Sequence, residues 1–485
     1  MDYVTHEGPR WTIVYGAYEG VEKHALDVLY GIVAPHVPYI LTVTAPDADI
    51  GALRDFNIIF LGTVGSNPYL RDLAGKGIFA PNDKKEGYAI KVSASAYNPG
   101  RQMVVLAGAD ENGVLYAVDD FEHYYIDPNV DDIYGKKTVF TGKMPEYARS
   151  SSPAVAERGF WTWGHVIYDY RKYLDNMAKW KLNFITIWND FAPLNAKEVT
   201  DYAHSRGIKV IWAFSWCWGE TDVDLSDARQ LDLWTERVIH TYETQYAGLG
   251  GDGIYFQTLT ETAETRVNGV PIAKLAVDWV NRIAGKLLEK YPGLWIKFGL
   301  HASSIKENYG YVAEIDPRLN ITWEDAGAFP YAYDAADTEN FAETLDYTSK
   351  ISGLRGGREN FGIVVKGTSF LDWSNFEHQK GPVIIGCASE GHLETLLSKD
   401  GWAAKQWKHQ QAYWIKNLAN LLDVLKVALE KDINSFSAEL MIDSGMWERR
   451  MWFPAALGAE SLWNPYESPA ELIEKVSLVK EVRFA

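Results

Sequence analysis

Apolar positions in the first 150 residues fall into short β-rich runs divided by turn formers. WTIVYGAY (11–18), YILTVT (39–44), NIIFLGT (57–63), YAIKVSA (88–94) and QMVVLAGA (102–109) read as strands. Residues 20–34 carry a helical period through Val21, Ala25, Leu26, Val28 and Leu29. Asn112-Gly113 leads into a second helix, GVLYAVDDFEHYYI. The pattern predicts an α/β sandwich domain over residues 1–148. KMPEYARSSSPAVAER is punctuated by Pro and Ser without a period, and is expected to be the linker to a second domain at 157–485.

Beyond it, strand and helix signals alternate. Strand-like runs are FWTW (160–163), NFITIWND (183–190), IKVIWAF (208–214), GIYFQTLTE (253–261), LWIKFGLH (294–301), NITWED (320–325), FGIVVKG (361–367) and SFSAELM (435–441). Helical stretches separate them, the longest over about 404–431. Several strands are continuous apolar runs, as parallel strands covered on both faces should be. Eight such units predict a (β/α)8 TIM barrel, which needs about 250 residues. A doubly wound nucleotide fold is the alternative, but Gly248-x-Gly250-x-x-Gly253 precedes a strand instead of opening a helix. It reads as a helix C-cap and turn.

The net charge of −18 argues against nucleic-acid and anionic-membrane partners. Cys217 and Cys387 are the only cysteines, too few for a disulfide framework or a Cys-rich zinc site. No metal or cofactor is expected. No run of about 18 apolar residues suggests a membrane helix. MDYVTHEGPRW shows no signal-peptide pattern, so a cytoplasmic location is expected. A leader already removed would leave the same start and would point to a secreted or periplasmic protein. A homodimer is compatible with the sequence. Nineteen tryptophans within a 14 % aromatic share change the picture most. Most should pack the core, but indole faces also stack on the C–H faces of sugars.

In a TIM barrel the site lies at the strand C-termini. Those ends carry Trp161, Trp163, Gly164 and His165; Trp188, Asn189 and Asp190; Ser215, Trp216, Cys217 and Trp218; Gln257 and Glu261; His301; Trp323, Glu324 and Asp325; Lys366, Asp372 and Trp373; Asp443, Trp447 and Glu448. Carboxylates from different strands among tryptophans suit glycoside hydrolysis, which needs an acid and a second carboxylate across the sugar. A strand-end Asp or Glu can equally cap the next helix or pair with a cation. Glu261 is the candidate acid, expected to have its pKa raised by burial among indoles. Glu324, Asp325 and Asp372 are candidate partners. Side chains alternate along a strand, so one of Glu324 and Asp325 should face substrate and the other should orient a neighbour. Candidate substrate-binding residues are Trp161, Trp163, Trp188, Asp190, Trp216, His301, Trp323 and Lys366, with at least some of the tryptophans expected to line one cleft. Lys366, Arg449 or Arg450 would meet an acidic sugar.

IIFLGTVGSNP, EGYAIKV and VVLAGADENGVLYAVDDF resemble the small domain preceding the barrel in family 67 α-glucuronidases. A similar domain precedes the barrel of family 20 β-N-acetylhexosaminidases. DNMAKWKLNFITIWND, VTDYAHSRGIKVIWAFSW and GDGIYFQTLTE are similar to the second, third and fourth barrel segments of family 67. The resemblance implies a glycoside hydrolase with Glu261 as acid and base carboxylates from strands six and seven, at Glu324 or Asp325 and at Asp372. The family's signatures around those carboxylates are absent. The family 20 Asp-Glu pair is absent too, since Thr260 precedes Glu261. The competing functions are a β-N-acetylhexosaminidase-like hydrolase, a non-hydrolytic carbohydrate-binding barrel, and a sugar isomerase or lyase using Lys366 or His301.

Overall fold

The computed structural model describes residues 9–37, 40–129, 139–163, 167–217, 220, 223–257, 260–302, 304–326, 341–367, 381–398, 401–431, 433–442 and 447–484. The chain divides into two compact units, residues 1–153 with 204–207, and 154–203 with 208–485.

The first unit holds β1 (Arg10–Val14), α1 (Gly20–Val33), β2 (Ile40–Thr44), β3 (Asn57–Thr63), α2 (Pro68–Gly75), β4 (Tyr88–Ala94), β5 (Gln102–Gly108), α3 (Glu111–Phe121) and β6 (Tyr147–Ser151). Its sheet runs β2-β1-β3-β5-β4-β6, parallel through β5, with β4 antiparallel to both β5 and β6. β6 corrects the expected linker: YARSS is an edge strand whose side chains are alternately half-buried and exposed. An edge strand with one wet face carries little apolar signal, so its Ser and Pro read as a loop. α2 was also not predicted. Its start signal is Asn67-Pro68, where the Asn67 carbonyl caps Tyr69 N at 3.0 Å and Pro68 stands at N1.

The second unit begins with β7 (Glu157–Trp163), α4 (Tyr170–Lys179), β8 (Phe184–Trp188), α5 (Ala196–His204), β9 (Lys209–Ala213), α6 (Ala228–Thr241) and β10 (Gly253–Gln257). A hairpin of β11 (Arg266–Val267) and β12 (Val270–Pro271) precedes α7 (Ile272–Lys290) and β13 (Trp295–Leu300). Then come β14 (Asn320–Trp323), α8 (Phe341–Ile351), β15 (Glu359–Val365), α9 (Glu390–Ser398), α10 (Gly401–Leu429) and β16 (Ile433–Met441). β17 (Met451–Trp452), α11 (Phe453–Trp463), α12 (Pro469–Ser477) and β18 (Val482–Arg483) close the chain. β7, β8, β9, β10, β13, β14, β15 and β16 form a closed barrel, sealed by β16 pairing parallel with β7. This is the predicted TIM barrel. Gly250 ends the turn after α6 with φ +74°, as a helix C-cap should.

Alternate residues turn into the barrel and fill it in tiers. Near the N-terminal end Lys209 pairs with Glu157 at 2.8 Å. The middle tier is polar: Lys297 pairs with Glu439, Thr186 donates to Glu439 at 2.5 Å, and Lys297 donates to Ser437 at 3.1 Å. Burial pulls the Lys297 ammonium down and pushes the Glu439 carboxyl up. Around and above lie Trp161, Phe184, Trp188, Ile211, Tyr255, Val364 and Met441.

Candidate active site

The upper tier is built by strand parity. Tyr255 and Gln257 of β10 turn inward, as do His301 after β13, Glu324 after β14 and Lys366 after β15. Glu324 is completely buried. It accepts from the Tyr255 hydroxyl, from Gln257 Nε2 at 2.7 Å and from His301 Nε2 at 3.0 Å, and Lys366 Nζ stands 3.2 Å away. Gly299 makes the room: a Cβ there would lie 2.4 Å from Glu324 Oε1 and from the Tyr255 oxygen. Burial alone would push the Glu324 carboxyl up. The His301 and Lys366 cations and the donated hydrogen bonds outweigh burial and hold it well below the usual carboxylate range.

His301 is the hub. Its Nδ1 faces Asp325 Oδ1 at 3.2 Å, and its Nε2 faces Glu324 at 3.0 Å and Glu261 Oε2 at 3.9 Å. Burial works against its charge, but Glu324 and Asp325 prevail and raise its pKa to about 10. Asp325 also accepts from Ala302 N at 2.6 Å. Burial opposes its ionisation too, and its bonds to His301 outweigh that and lower its pKa. Glu324 points into the barrel with its oxygens engaged by other side chains, and Asp325 fixes His301 from the other ring nitrogen.

The structure thus gathers Glu261, Glu324, Asp325, His301 and Lys366. Glu261 departs from expectation in its surroundings. Its side chain is 46 % exposed at the mouth instead of sunk among indoles, because the chain has left β10 four residues earlier. Glu261 and Glu324 flank one imidazole nitrogen, so their nearest oxygens are at most about 7 Å apart.

The tryptophans divide. Trp161 and Trp188 face the barrel interior, their ring centroids 6.1 and 6.0 Å from Tyr255. Trp323 turns outward, where its Nε1 donates to Thr348 of α8 at 3.0 Å. Glu324 takes the inward position, so its neighbour cannot. Trp216 stacks face to face on Phe256, an outward residue of β10, at 3.5 Å. Trp216 and Trp323 are therefore packing residues, which leaves Trp161 and Trp188 as the two that face the barrel interior. Asp190 borders a different recess with Phe191 and Trp234. Asp372, Trp373, His165, Trp218 and Asp443 lie outside the described residues, as does the Trp163 side chain.

Lys297 and Glu439 were not predicted. The available signal was a lone charge at an inward position within an apolar strand, in WIKFGL and SFSAELM. Glu448, at the end of the barrel's last loop, accepts from Tyr168 N at 2.6 Å and Asp169 N at 3.0 Å, and burial raises its pKa to about 7. Its partners are main-chain groups at the start of α4, so it ties a loop. Among the described residues, no three His, Cys, Asp or Glu side chains are placed to hold one metal ion. Among them, too, no helix is long and apolar enough to cross a membrane.

No protein-family model matches the chain, and no curated protein matches it by sequence. Solved structures match it by fold. CpGH84B superposes with a TM-score of 0.55 at 12 % identity, over 98 % of this chain and 71 % of its own. A GH138 enzyme targeting pectin rhamnogalacturonan II gives 0.54 at 12 % identity over 95 % of this chain, which spans about half (52 %) of that enzyme. The GH20 β-N-acetylhexosaminidase from Streptomyces coelicolor A3(2) gives 0.49 at 9 % identity, over 97 % of this chain and 91 % of its own. These neighbours carry glycoside hydrolase labels of families 84, 138 and 20, not of family 67. At such identities the likeness to the first two establishes the fold alone.

Proposed function

We propose that the protein is a glycoside hydrolase working at the C-terminal mouth of its barrel, with Glu261 as the proton-transferring carboxyl. The observation that carries the reading is Glu261 standing at the mouth, 3.9 Å from an imidazole that two other carboxylates hold in place. Glu324 has its oxygens engaged by fixed donors and is suited to anchoring His301 and Lys366. Asp325 fixes the same ring from its other nitrogen. The second reacting carboxylate is then Asp372, which the family 67 resemblance also implies.

Within the class, a glucuronide is the favoured substrate. Lys366 reaches the site, where a cation would meet a uronic carboxylate. Thr260 precedes Glu261 where acetamido-assisted catalysis would want a second carboxylate, which disfavours an N-acetylhexosaminide. An isomerase or lyase would need Lys366 or His301 as a base, and Lys366 Nζ is paired with Glu324 at 3.2 Å. An imidazole with its pKa raised to about 10 is protonated at neutral pH and cannot take up another proton.

The test is a screen of aryl glycosides, including glucuronides and N-acetylglucosaminides, with wild type and Glu261→Gln together. On substrates with poor leaving groups the variant should lose about 10²–10⁴ in rate. The loss should shrink for activated aryl leaving groups, which need less protonation. Equal rates on both kinds of substrate would remove Glu261 from the mechanism.

A further inference from the structure

The barrel carries a second recess. Asp190 and Phe191 follow β8, Phe214 follows β9, and α6 with its extension contributes Trp234, Arg237 and Gln245. Together they border a cleft of about 500 Å³, within the size range of small-ligand sites. Asp190 stands two residues beyond Trp188, the last residue of β8, whose ring faces the barrel interior, a step of at most about 7 Å of chain. A chain-like ligand seated in the mouth could therefore reach over the rim into this recess.

We propose that this cleft is a sugar subsite that holds residues of an oligosaccharide remote from the bond being cleaved, a proposal that rests on the glycosidase reading. Sugars present flat C–H faces edged by hydroxyls. The cleft answers both. The exposed Phe191 ring and the half-buried Trp234 indole supply apolar faces. The Arg237 guanidinium, a fork of donors, lies 4.4 Å from the Trp234 ring centroid and 3.5 Å from Glu220 Oε1. Asp190 supplies an acceptor. The Gln245 carboxamide is fixed by Ala192 N at 3.2 Å and borders the same space. Asp190 and Glu220 outnumber the one arginine, so a phosphate or other anion is disfavoured and a neutral polyhydroxylated ring fits. The wall bearing Gln245 is a π-helix, Tyr242–Tyr246, continuing α6. Such wide turns are frequent at functional sites.

Equilibrium binding of xylohexaose, cellohexaose and chitohexaose, followed by calorimetry on the full chain, tests this. Wild type should bind at least one of them, and Trp234→Ala should raise its Kd about tenfold. Trp234→Phe, which keeps a flat ring, should retain most of the affinity and so separates lost stacking from a folding defect. An unchanged Kd in Trp234→Ala, or no binding of any of the three to wild type, overturns the proposal. Binding and turnover are read apart, because Glu261→Gln should keep its hexasaccharide affinity. A chain that binds in this pattern but cleaves nothing loses the glycosidase reading and keeps the sugar site.

Discussion

Carboxylates stand at the C-terminal ends of parallel strands in both units, and they are used in opposite ways. In the first unit Glu22 accepts from Ala17 N at 2.8 Å and from the Ser66 hydroxyl at 2.9 Å. Asp110 accepts from Glu86 N at 2.7 Å and Gly113 N at 2.9 Å, and Glu111 from Val21 N at 3.2 Å. Those partners are main-chain amides and a hydroxyl, which do not titrate. In the barrel Glu324 meets His301 and Lys366, and Asp325 meets His301. The first arrangement closes turns and helix ends. The second stores charge on groups that can change protonation. A strand-end carboxylate thus points to chemistry only when titratable side chains surround it.

The largest break in this comparison should come from removing each carboxylate's charge. Glu324→Gln leaves the buried His301 and the nearly buried Lys366 short of a counter-charge and should cost about 3–5 kcal/mol in urea unfolding. Glu22→Gln loses neutral hydrogen bonds and should cost about 1 kcal/mol. Similar losses would show that the two sites are alike after all.

Acidity should act with opposite sign on the carboxylates of the two regions. His301 binds its proton more tightly folded than unfolded. Its contribution is whole below pH about 6.5 and is lost as pH rises through about 10. Glu324 and Asp325 are depressed, so theirs is present above the ordinary carboxylate range and lost as pH falls below it. Glu22 is raised, chiefly by burial, so its contribution is present in acid and lost as pH rises through the raised value. Hydrogen exchange of β13–β15 and of β1–β3, corrected for intrinsic rates from about pH 2 to about pH 11, should separate these trends. Histidine NMR should find His301 protonated until about pH 10, and near its ordinary range in Glu324→Gln.

Two glycines sharpen the contrast at a smaller scale. A Cβ at Gly299 would lie 2.4 Å from Glu324 Oε1, and one at Gly16 would lie 2.3 Å from Ser66 Oγ and 2.7 Å from Glu22 Oε2. Each change to Ala should cost about 1–3 kcal/mol in stability. Only Gly299→Ala should also lower kcat/KM, because it displaces the group holding His301. The smallest effect belongs to Trp323→Phe, which removes the bond to Thr348. It should cost about 0.5–1.5 kcal/mol and leave kcat/KM at the wild-type value. A drop in activity would return Trp323 to the mouth.

Much of the barrel was legible because parallel strands buried on both faces write themselves as apolar runs, and helices between them have a different period. The site was legible in part. Strand C-termini pointed to Glu261, His301, Glu324, Asp325 and Lys366, and alternation foretold that Glu324 and Asp325 would differ. The same alternation sends Trp323 outward, a consequence hidden behind the composition signal of nineteen tryptophans. β6 was lost because an edge strand needs little apolar patterning.

By itself, then, the sequence determined the order of elements, the barrel and the set of polar residues at its mouth, since periodicity and strand polarity are properties of neighbouring positions. Tertiary structure alone decided which of those residues meet. Glu324 and Tyr255 lie 69 positions apart in the chain, and Lys297 and Glu439 pair across the barrel. The charge each group carries depends on burial and on partners from other strands, and strand register and barrel closure bring those partners within hydrogen-bond reach.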